Sequence, residues 1–312
     1  MRNIKRVFLT ILKEVVGFLF LALGGIYLLK KSTKNKKYLV VLNYHNFSKY
    51  NNYTIKRGNV LQTGYGNNFE KQIKFLDKHF KFSYPEDFFD ANNKKEGINI
   101  LITFDDGYKD NYDMALPVFK KYDVKSIFFI VTGVIGTDAW LKHDELRYLV
   151  NKKIKKESEV EGVLSKMNQG LPIADWVKKN NNLVLLPKHR LMMNWGEINE
   201  LAKQGFKVAP HTHNHKILSF LDYNKQEDQI VTSITTINKQ LNVEPKYFAY
   251  PNGVFNKDSI SILIHNNIKY SFTTISGFNL INNAPHLLKR LGVNPSDSIG
   301  VVLLKLYLNK NK

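Results

Sequence analysis

The chain has 312 residues, 43% of them hydrophobic, so it can bury one large α/β core or two small ones. It contains no cysteine, which excludes disulfides and thiol catalysis, so any metal site would have to use His, Asp or Glu. The net charge of +19 suits an anionic cell envelope or membrane surface as a partner. Nucleic acid is not expected, because the basic residues do not cluster with aromatic residues in a recognisable binding motif.

The first 37 residues combine an apolar segment with basic flanks. Val7–Leu29 is apolar except for Lys13 and Glu14, and a lysine-rich stretch follows it to residue 37. A bilayer-spanning helix needs about 20 apolar residues, so residues 1–37 are predicted to be a membrane anchor or a secretion signal with a basic linker. An uncleaved anchor is favoured, because no small-x-small cleavage site follows. The positive-inside rule would keep the rest of the chain inside, but the chemistry below favours the outer surface.

From residue 38 onward, strand-like and helix-like runs alternate, which predicts one α/β domain over residues 38–312. The predicted strands are Tyr38–Tyr44, Ile98–Phe104, Lys125–Val131, Phe206–Ala209, Tyr247–Ala249, Tyr270–Thr274 and Leu287–Val293. The predicted helices are Asn67–Phe80, Tyr112–Tyr122, Trp195–Gln204, Asn224–Leu241 and Asn256–Asn266. About seven strands in this alternation indicate a parallel sheet, closed or nearly closed into a barrel. Residues 137–190 interrupt it and predict a helical insertion on the active-site face, either as a wall of a substrate groove or as a solvated decoration.

Two adjacent carboxylates, Asp105 and Asp106, follow the predicted strand Ile98–Phe104 and precede Gly107. Successive strand side chains point to opposite faces, so the two aspartates are not expected to do the same job. One can bind a metal while the other remains free as a base. The structural alternative is a simple turn that closes the strand.

Three histidines, His211, His213 and His215, follow the predicted strand Phe206–Ala209. A helical turn here would align His211 with His215, whereas a continued strand would align His211 with His213; the helical arrangement is favoured. Asp106, His211 and His215 then form a three-ligand site with an open position, which is typical of a catalytic metal. Such a set suits Zn, with Co, Ni or Fe as alternatives.

These residues resemble a known family. Thr103-Phe104-Asp105-Asp106-Gly107 and His211-Thr212-x-x-His215 match the two metal-site motifs of the NodB-type polysaccharide deacetylases, carbohydrate esterase family 4, and the resemblance covers roughly Tyr38–Val293. It implies that Asp105 is the catalytic base, that Asp106, His211 and His215 bind the metal, and that the fold is a distorted (β/α) barrel with fewer than eight strands. The implied activity is metal-dependent hydrolysis of N-acetyl groups on a polysaccharide.

A third family motif, Arg-x-Pro-Tyr, is altered in this chain. The stretch 248–253 reads FAYPNG, with Ala249 at the arginine position and Asn252 at the tyrosine position. The family's arginine orients the base, and Arg290 is predicted to supply that guanidinium from another strand. The backbone N–H of Asn252 is predicted to help stabilise the oxyanion, and Tyr250 is counted with it as a substrate contact.

The usual C-terminal Leu-x-His, which carries the general acid in this family, is not apparent, and His286 is not a clear match. Asn43-Tyr44-His45-Asn46-Phe47 instead resembles the branch that deacetylates poly-β-1,6-N-acetylglucosamine, a biofilm adhesin, on a circularly permuted barrel. His45 is therefore predicted to be the general acid, with a hydrogen-bonded core histidine as the alternative. This implies an N-acetylglucosamine polymer as substrate and a cell-surface location. The alternatives are a peptidoglycan or chitin-oligomer deacetylase and a non-catalytic polysaccharide-binding module.

Overall fold

The computed structural model describes residues 2–47, 66–93, 96–151, 157–168 and 190–312. In this part of the chain the strands are β1 Lys37–Tyr44, β2 Lys81–Phe82, β3 Gly97–Phe104, β4 Ser126–Ile130, β5 Lys207–Pro210, β6 Tyr247–Ala249, β7 Tyr270–Phe272 and β8 Leu291–Gly292. The helices are α1 Arg2–Ala22, α2 Gly25–Ser32, α3 Gly66–His79, α4 Pro85–Phe89, α5 Lys109–Phe119, α6 Lys142–Asn151, α7 Glu157–Asn168, α8 Trp195–Lys203, α9 Tyr223–Leu241, α10 Lys257–His265 and α11 Ile299–Asn309. Each predicted strand is present, although only two residues of the predicted Leu287–Val293 belong to a ladder.

The strands form a parallel, nearly closed barrel. One sheet has the order β5-β4-β3-β1-β8, β2 pairs with the first half of β3, and β6 pairs with β7. Phe272 of β7 bridges Leu288, just before β8, and β5 contacts β6, so the two sheets follow one another around a ring. This is the nearly closed parallel barrel that the alternation of elements predicts, and it agrees with the distorted barrel that the family resemblance implies.

The barrel interior is apolar for most of its length and polar at one end. Alternate residues of β1 and β3 enter two separate clusters, and Leu39, Val41 and Leu101 belong to the inner one. A strand buried on both faces appears in the sequence as an apolar run, which is why β1 and β3 were recognisable. Asn43 and Thr103 pair in register at the carboxyl ends of these strands, so the inward series ends in polar side chains.

The predicted apolar span of residues 7–29 is not one helix. α1 and α2 meet at a bend of 75° beside Gly24, whose φ is 83°. Among the described residues no single helix is both long enough and apolar enough for a membrane span, whereas this bent pair meets the length and composition criteria together.

The N-terminal helix α1 packs along the C-terminal helix α11, which the sequence did not predict. The helices cross at Gly17 and Gly300, where a Cβ on Gly300 would lie 2.3 Å from the Gly17 carbonyl oxygen. Lys13 Nζ lies 2.8 Å from Asp297 Oδ1 at the same contact. The two ends of the chain therefore form one helical layer.

The described part of the predicted insertion contains the helices α6 and α7 after a non-helical start at residues 137–141, while residues 152–156 and 169–189 lie outside the described residues. The segment that directly follows the insertion, Leu191–Met193, is called the return segment, and it pairs with the loop that follows β3. The N–H of Lys109 donates to the Leu191 carbonyl at 2.8 Å, and the N–H of Met193 donates to the Gly107 carbonyl at 2.9 Å. The insertion is thus attached directly to the Asp105–Gly107 loop.

Candidate active site

The predicted functional side chains meet at the carboxyl ends of β1, β3 and β5. His45 follows β1, Asp105 and Asp106 follow β3, and the histidine loop follows β5. Arg290 enters from the residue before β8. Loops at this end of a parallel barrel face one another, so residues from distant parts of the chain come together there.

Asp106, His211 and His215 form a cluster with the spacing of a metal site. Each offers one ligand atom, and the three atoms all lie within 4.8 Å of one another. Asp106 Oδ1 is 3.3 Å from His215 Nε2 and 3.7 Å from His211 Nε2. Tetrahedral ligands held at about 2.1 Å from a Zn ion lie about 3.4 Å apart, so these donors fit a divalent metal.

The histidine loop is not helical, so the predicted reason for the pairing of His211 with His215 was wrong. Residues 211–215 follow β5 as a loop in which Thr212 has a φ of 65° and His215 a φ of 52°. Asp106 also leaves the strand with a φ of 77°. Left-handed backbone at non-glycine residues is costly and concentrates at functional sites. These bends, rather than helical or strand periodicity, bring the three ligands together.

The ring of His211 is fixed by a carbonyl from the neighbouring sheet. Its Nδ1 lies 2.7 Å from the Ala249 carbonyl oxygen, and Nε2 faces Asp106. Nδ1 must donate this hydrogen bond, so Nε2 retains a lone pair for a metal. Burial lowers the pKa of His211 to about 4, which keeps the ring neutral. Ala249 thus contributes through its backbone, a role that no side-chain motif could indicate.

His215 and Asp106 form a close acid–base pair. Burial lowers the pKa of His215, but the hydrogen bond to Asp106 and its charge outweigh this, and the pKa is raised overall. Burial raises the pKa of Asp106, but His215 holds it well below its usual range. Asp106 is therefore an ionised carboxylate, the form that binds a metal.

Asp105 is held by Arg290 in a buried bidentate pair. Arg290 Nη1 lies 2.7 Å from Oδ1 of Asp105, and Nη2 lies 2.8 Å from Oδ2. Arg290 also donates to the Thr273 carbonyl and to Asn43 Oδ1, while the Asn43 amide donates to Asp105 Oδ2 at 3.2 Å. Burial raises the pKa of Asp105, but the Arg290 guanidinium outweighs it and lowers the pKa. Arg290 therefore lies against Asp105, the residue predicted to be the base, and Asn43 joins the pair from its inward position in β1, which the sequence patterns did not single out.

His45 lies at the mouth of the site. Its side chain is 53% exposed, and its Nε2 is 3.9 Å from Asp105 Oδ2. The alternative of a core histidine is therefore wrong. The backbone around His45 is anchored by α5, where the Asn111 amide donates to the His45 carbonyl at 2.7 Å and Asp110 accepts from the Phe47 N–H at 2.8 Å.

Tyr250 does not fit the predicted substrate contact. Its side chain is fully buried in a cluster that includes Phe248 and Ile262, and its hydroxyl donates to the His286 carbonyl. The reason is strand alternation, since Ala249 enters the inner cluster and its neighbours on either side enter the outer one.

The other polar residues considered in the sequence lie as follows. Asn252 is exposed, has a φ of 55°, and accepts a hydrogen bond from Thr274 at its carbonyl; its oxyanion role stays a prediction. His213 Nδ1 lies 3.0 Å from Thr132 Oγ1, away from the three-ligand cluster. His286 Nδ1 lies 3.1 Å from Ser271 Oγ.

The insertion adds a histidine that no sequence pattern singles out. His143, on α6, has its ring centroid 5.4 Å from that of His215, and its Nε2 lies 3.0 Å from the Tyr108 hydroxyl. Tyr108 in turn donates to Asp144 Oδ2 at 2.8 Å. The insertion therefore contributes to the site and is not merely a solvated decoration.

A parallel barrel with a buried, paired carboxylate and an Asp-His-His cluster at its carboxyl edge has side chains that could hold a divalent metal and act on a proton. Residues 92–272, more than half of the chain, match the family model described as polysaccharide deacetylase, and the chain belongs to that family. It is therefore an enzyme that acts on N-acetyl amide bonds of a polysaccharide. His45 and Arg290 lie outside the matched residues.

The chain is similar to the poly-beta-1,6-N-acetyl-D-glucosamine N-deacetylase of Staphylococcus aureus (strain MSSA476), with 26% identity over 270 residues, 78% of this chain and 74% of that protein. Its fold resembles that of the Streptococcus pyogenes deacetylase PplD in complex with acetate (TM-score 0.62, 21% identity, 87% of this chain and 99% of that one). It also resembles IcaB from Ammonifex degensii (TM-score 0.59, 22% identity, 86% and 97%). These structures confirm the predicted fold class.

Proposed function

We propose that this enzyme removes N-acetyl groups from poly-β-1,6-N-acetyl-D-glucosamine, with a divalent metal held by Asp106, His211 and His215. The observation that carries the proposal is that two groups of residues lie side by side at one edge of the barrel. One is the three-ligand cluster, and the other is Asp105 with Arg290 behind it and His45 in front. The similarity to the Staphylococcus aureus deacetylase supports the choice of polymer.

The three-ligand cluster has the chemistry of a catalytic site for Zn, or for Co, Ni or Fe. A metal held there supplies Lewis acidity, which polarises a carbonyl oxygen and makes a water easier to deprotonate. The chain contributes a neutral His211, oriented by the Ala249 carbonyl, and an ionised Asp106.

Asp105 acts as the base that takes the proton from the attacking water. It is ionised because Arg290 lowers its pKa, and it is fixed in place by two guanidinium hydrogen bonds and one from Asn43. A carboxylate has about four lone-pair positions, so these three hydrogen bonds leave room for a proton.

His45 donates the proton that the departing amine needs. Its exposed ring stands 3.9 Å from Asp105 Oδ2, so base and acid flank the same space. The Asn252 N–H is assigned to the oxyanion. The products are acetate and a polymer with a free amine, which carries positive charge and adheres to an anionic envelope.

Acetate release from three polymers tests the substrate assignment. The wild-type enzyme should release acetate fastest from β-1,6-linked N-acetylglucosamine oligomers, and a chelator should stop the release. Faster release from peptidoglycan or chitin oligomers would replace the proposed substrate with that polymer. Release from none of the three, with metal bound, would favour a non-catalytic polysaccharide-binding module.

We also propose that residues 1–37 hold the enzyme at the outer face of the cell membrane, facing the anionic envelope. α1 exposes a row of large apolar side chains, among them Phe8, Leu9, Ile11, Leu12, Phe18 and Leu19, and a lysine-rich segment follows α2. Such a surface is stabilised by lipid, and its lysines suit anionic headgroups. Labelling of intact cells with an impermeant amine reagent should modify the enzyme, and carbonate washing should leave it in the membrane fraction. An unlabelled protein in intact cells would contradict the surface location.

A further inference from the structure

His143 stands beside the metal-binding residues although it belongs to the insertion. It is the second residue of α6, its ring makes an edge contact with the ring of His215, and its side chain is 17% exposed. The charged and titratable groups near it are Asp106, Arg147, His215, His45 and Asp144, whose Oδ2 lies 3.7 Å from His143 Nε2. It therefore lies beside the three-ligand cluster.

Two hydrogen bonds define which nitrogen of His143 is a donor. Asp144 is fully buried and accepts the proton of the Tyr108 hydroxyl at 2.8 Å. A tyrosine hydroxyl has one proton to donate, so its oxygen must accept from His143 Nε2, which lies 3.0 Å away. In a neutral imidazole the other nitrogen, Nδ1, is then an acceptor.

The neighbours of His143 keep this arrangement in place. Tyr108 directly follows the Asp105–Gly107 loop and forms a β-bridge with Met192, in the segment that follows the insertion. Neutral imidazole is the main form of a histidine above its ordinary pKa of about 6.5, and partial burial favours that form further. Within the described residues Nδ1 has no hydrogen-bond donor of the protein against it, and His143 is not one of the three clustered ligands.

We propose that His143 Nδ1 accepts a hydrogen bond from a hydroxyl group of the N-acetylhexosamine unit that is being deacetylated, so that the insertion contributes to sugar recognition. A partly buried acceptor can discriminate between ligands, because a ligand that leaves it unpaired binds less tightly. Sugar hydroxyls are the most numerous donors on such a polymer. The inference rests on the proposed deacetylase function.

The test uses variants that separate hydrogen bonding from packing. His143→Phe keeps a ring against His215 but removes Nδ1, and His143→Gln restores an acceptor oxygen. Tyr108→Phe removes the hydroxyl that fixes the ring, and His265→Phe, on the exposed face of α10, is the matched control. For each variant we would measure kcat, KM and bound metal, using whichever of the β-1,6-linked N-acetylglucosamine, chitin and peptidoglycan oligomers the wild type deacetylates fastest.

His143→Phe should raise KM about fivefold, the effect of losing one hydrogen bond between neutral groups, with kcat and metal content close to wild type. His143→Gln should recover part of this loss, Tyr108→Phe should fall between, and His265→Phe should match wild type. An unchanged KM in His143→Phe would overturn the proposal. A loss of bound metal with unchanged KM would also overturn it and would make His143 a support for His215. If the wild type deacetylates none of the oligomers, the proposed function itself fails, and the role of His143 fails with it.

Discussion

The carboxyl edge of the barrel buries charged side chains, whereas the N-terminal helical layer exposes apolar ones. At the barrel edge, ionised side chains such as Asp105 and Arg290 are almost fully buried, and each has several partners. In the helical layer, α1 leaves large apolar side chains in contact with solvent. Buried charge is costly unless it is completely paired. The complete pairing at the barrel edge is therefore typical of a functional site. Exposed apolar surface of this extent is typical of a site that contacts a membrane or another molecule.

The largest effect is expected at the base. Asp105→Asn should lower kcat for acetate release by about 100-fold to 10,000-fold, because general-base assistance is lost, while bound metal stays close to one per chain. Asp258→Asn, on the exposed first turn of α10, should behave like wild type. Unchanged acetate release by Asp105→Asn would remove Asp105 from the mechanism.

The two neighbouring histidines of one loop give a matched test of the metal site. His211→Ala should lower metal affinity by more than about 100-fold, because loss of a ligand exceeds the effect of losing an outer hydrogen-bond partner. His213→Ala should retain the metal, since its ring contacts Thr132 and lies outside the cluster. Metal titration followed by dialysis measures both. Equal losses in the two variants would show that the cluster has been assigned to the wrong residues.

Two bidentate arginine–carboxylate pairs, one buried and one partly exposed, allow the effect of burial on stability to be compared. Arg290→Met leaves Asp105 buried without its partner, so the free energy of unfolding measured in urea should fall by about 3–5 kcal/mol. Arg190→Met breaks a similar pair with Glu197, but that pair is partly exposed and should cost about 1 kcal/mol or less. Similar losses would mean that burial does not distinguish the two pairs.

The stability of the helical layer can be tested where α1 and α11 approach most closely, at Gly17 and Gly300. Gly300→Ala places a methyl group against the Gly17 carbonyl, so unfolding free energy should fall by about 1–3 kcal/mol. Gly162→Ala, in α7, meets open space and should raise stability by up to about 1 kcal/mol through helix propensity. The kcat of the folded Gly300→Ala enzyme should be unchanged, and a drop in kcat would show that the two regions are coupled.

The smallest effect concerns pH. Burial raises the pKa of Asp297, but Lys305 and Lys13 outweigh this and lower it. A carboxyl group with a depressed folded pKa stabilises the fold above its unfolded pKa of about 3.9, and this stability is lost as the pH falls through the folded pKa. The pKa of Lys305 is also lowered, because its burial outweighs the attraction of Asp297, so only the carboxylate gives acid-side stabilisation.

Asp297→Asn should therefore reduce the free energy of unfolding at pH 7 and flatten its decline below about pH 4. The loss should be only about 1 kcal/mol, because Lys13 is partly exposed and its attraction to Asp297 is screened. Thermal unfolding at a series of pH values measures this. A decline as steep as that of the wild type would show that other carboxyl groups control acid unfolding.

Sequence patterns predicted the barrel because its strands are buried on both faces and appear as apolar runs. The same alternation, applied to β6, would have placed Tyr250 outside the site, since its neighbour Ala249 faces inward. The C-terminal helix α11 was missed because a short apolar run at the end of a chain has no partner visible in the sequence.

The sequence by itself determined the kinds of side chain in the site: two carboxylates after an apolar strand, a histidine loop after another, and no thiol. Tertiary structure alone decided how they pair. Arg290 reaches Asp105 across 185 positions, and His211 is oriented by a carbonyl 38 positions away. Residue types follow from local chemistry, but partners depend on how the barrel closes and on left-handed bends such as that at Asp106, which local periodicity does not encode.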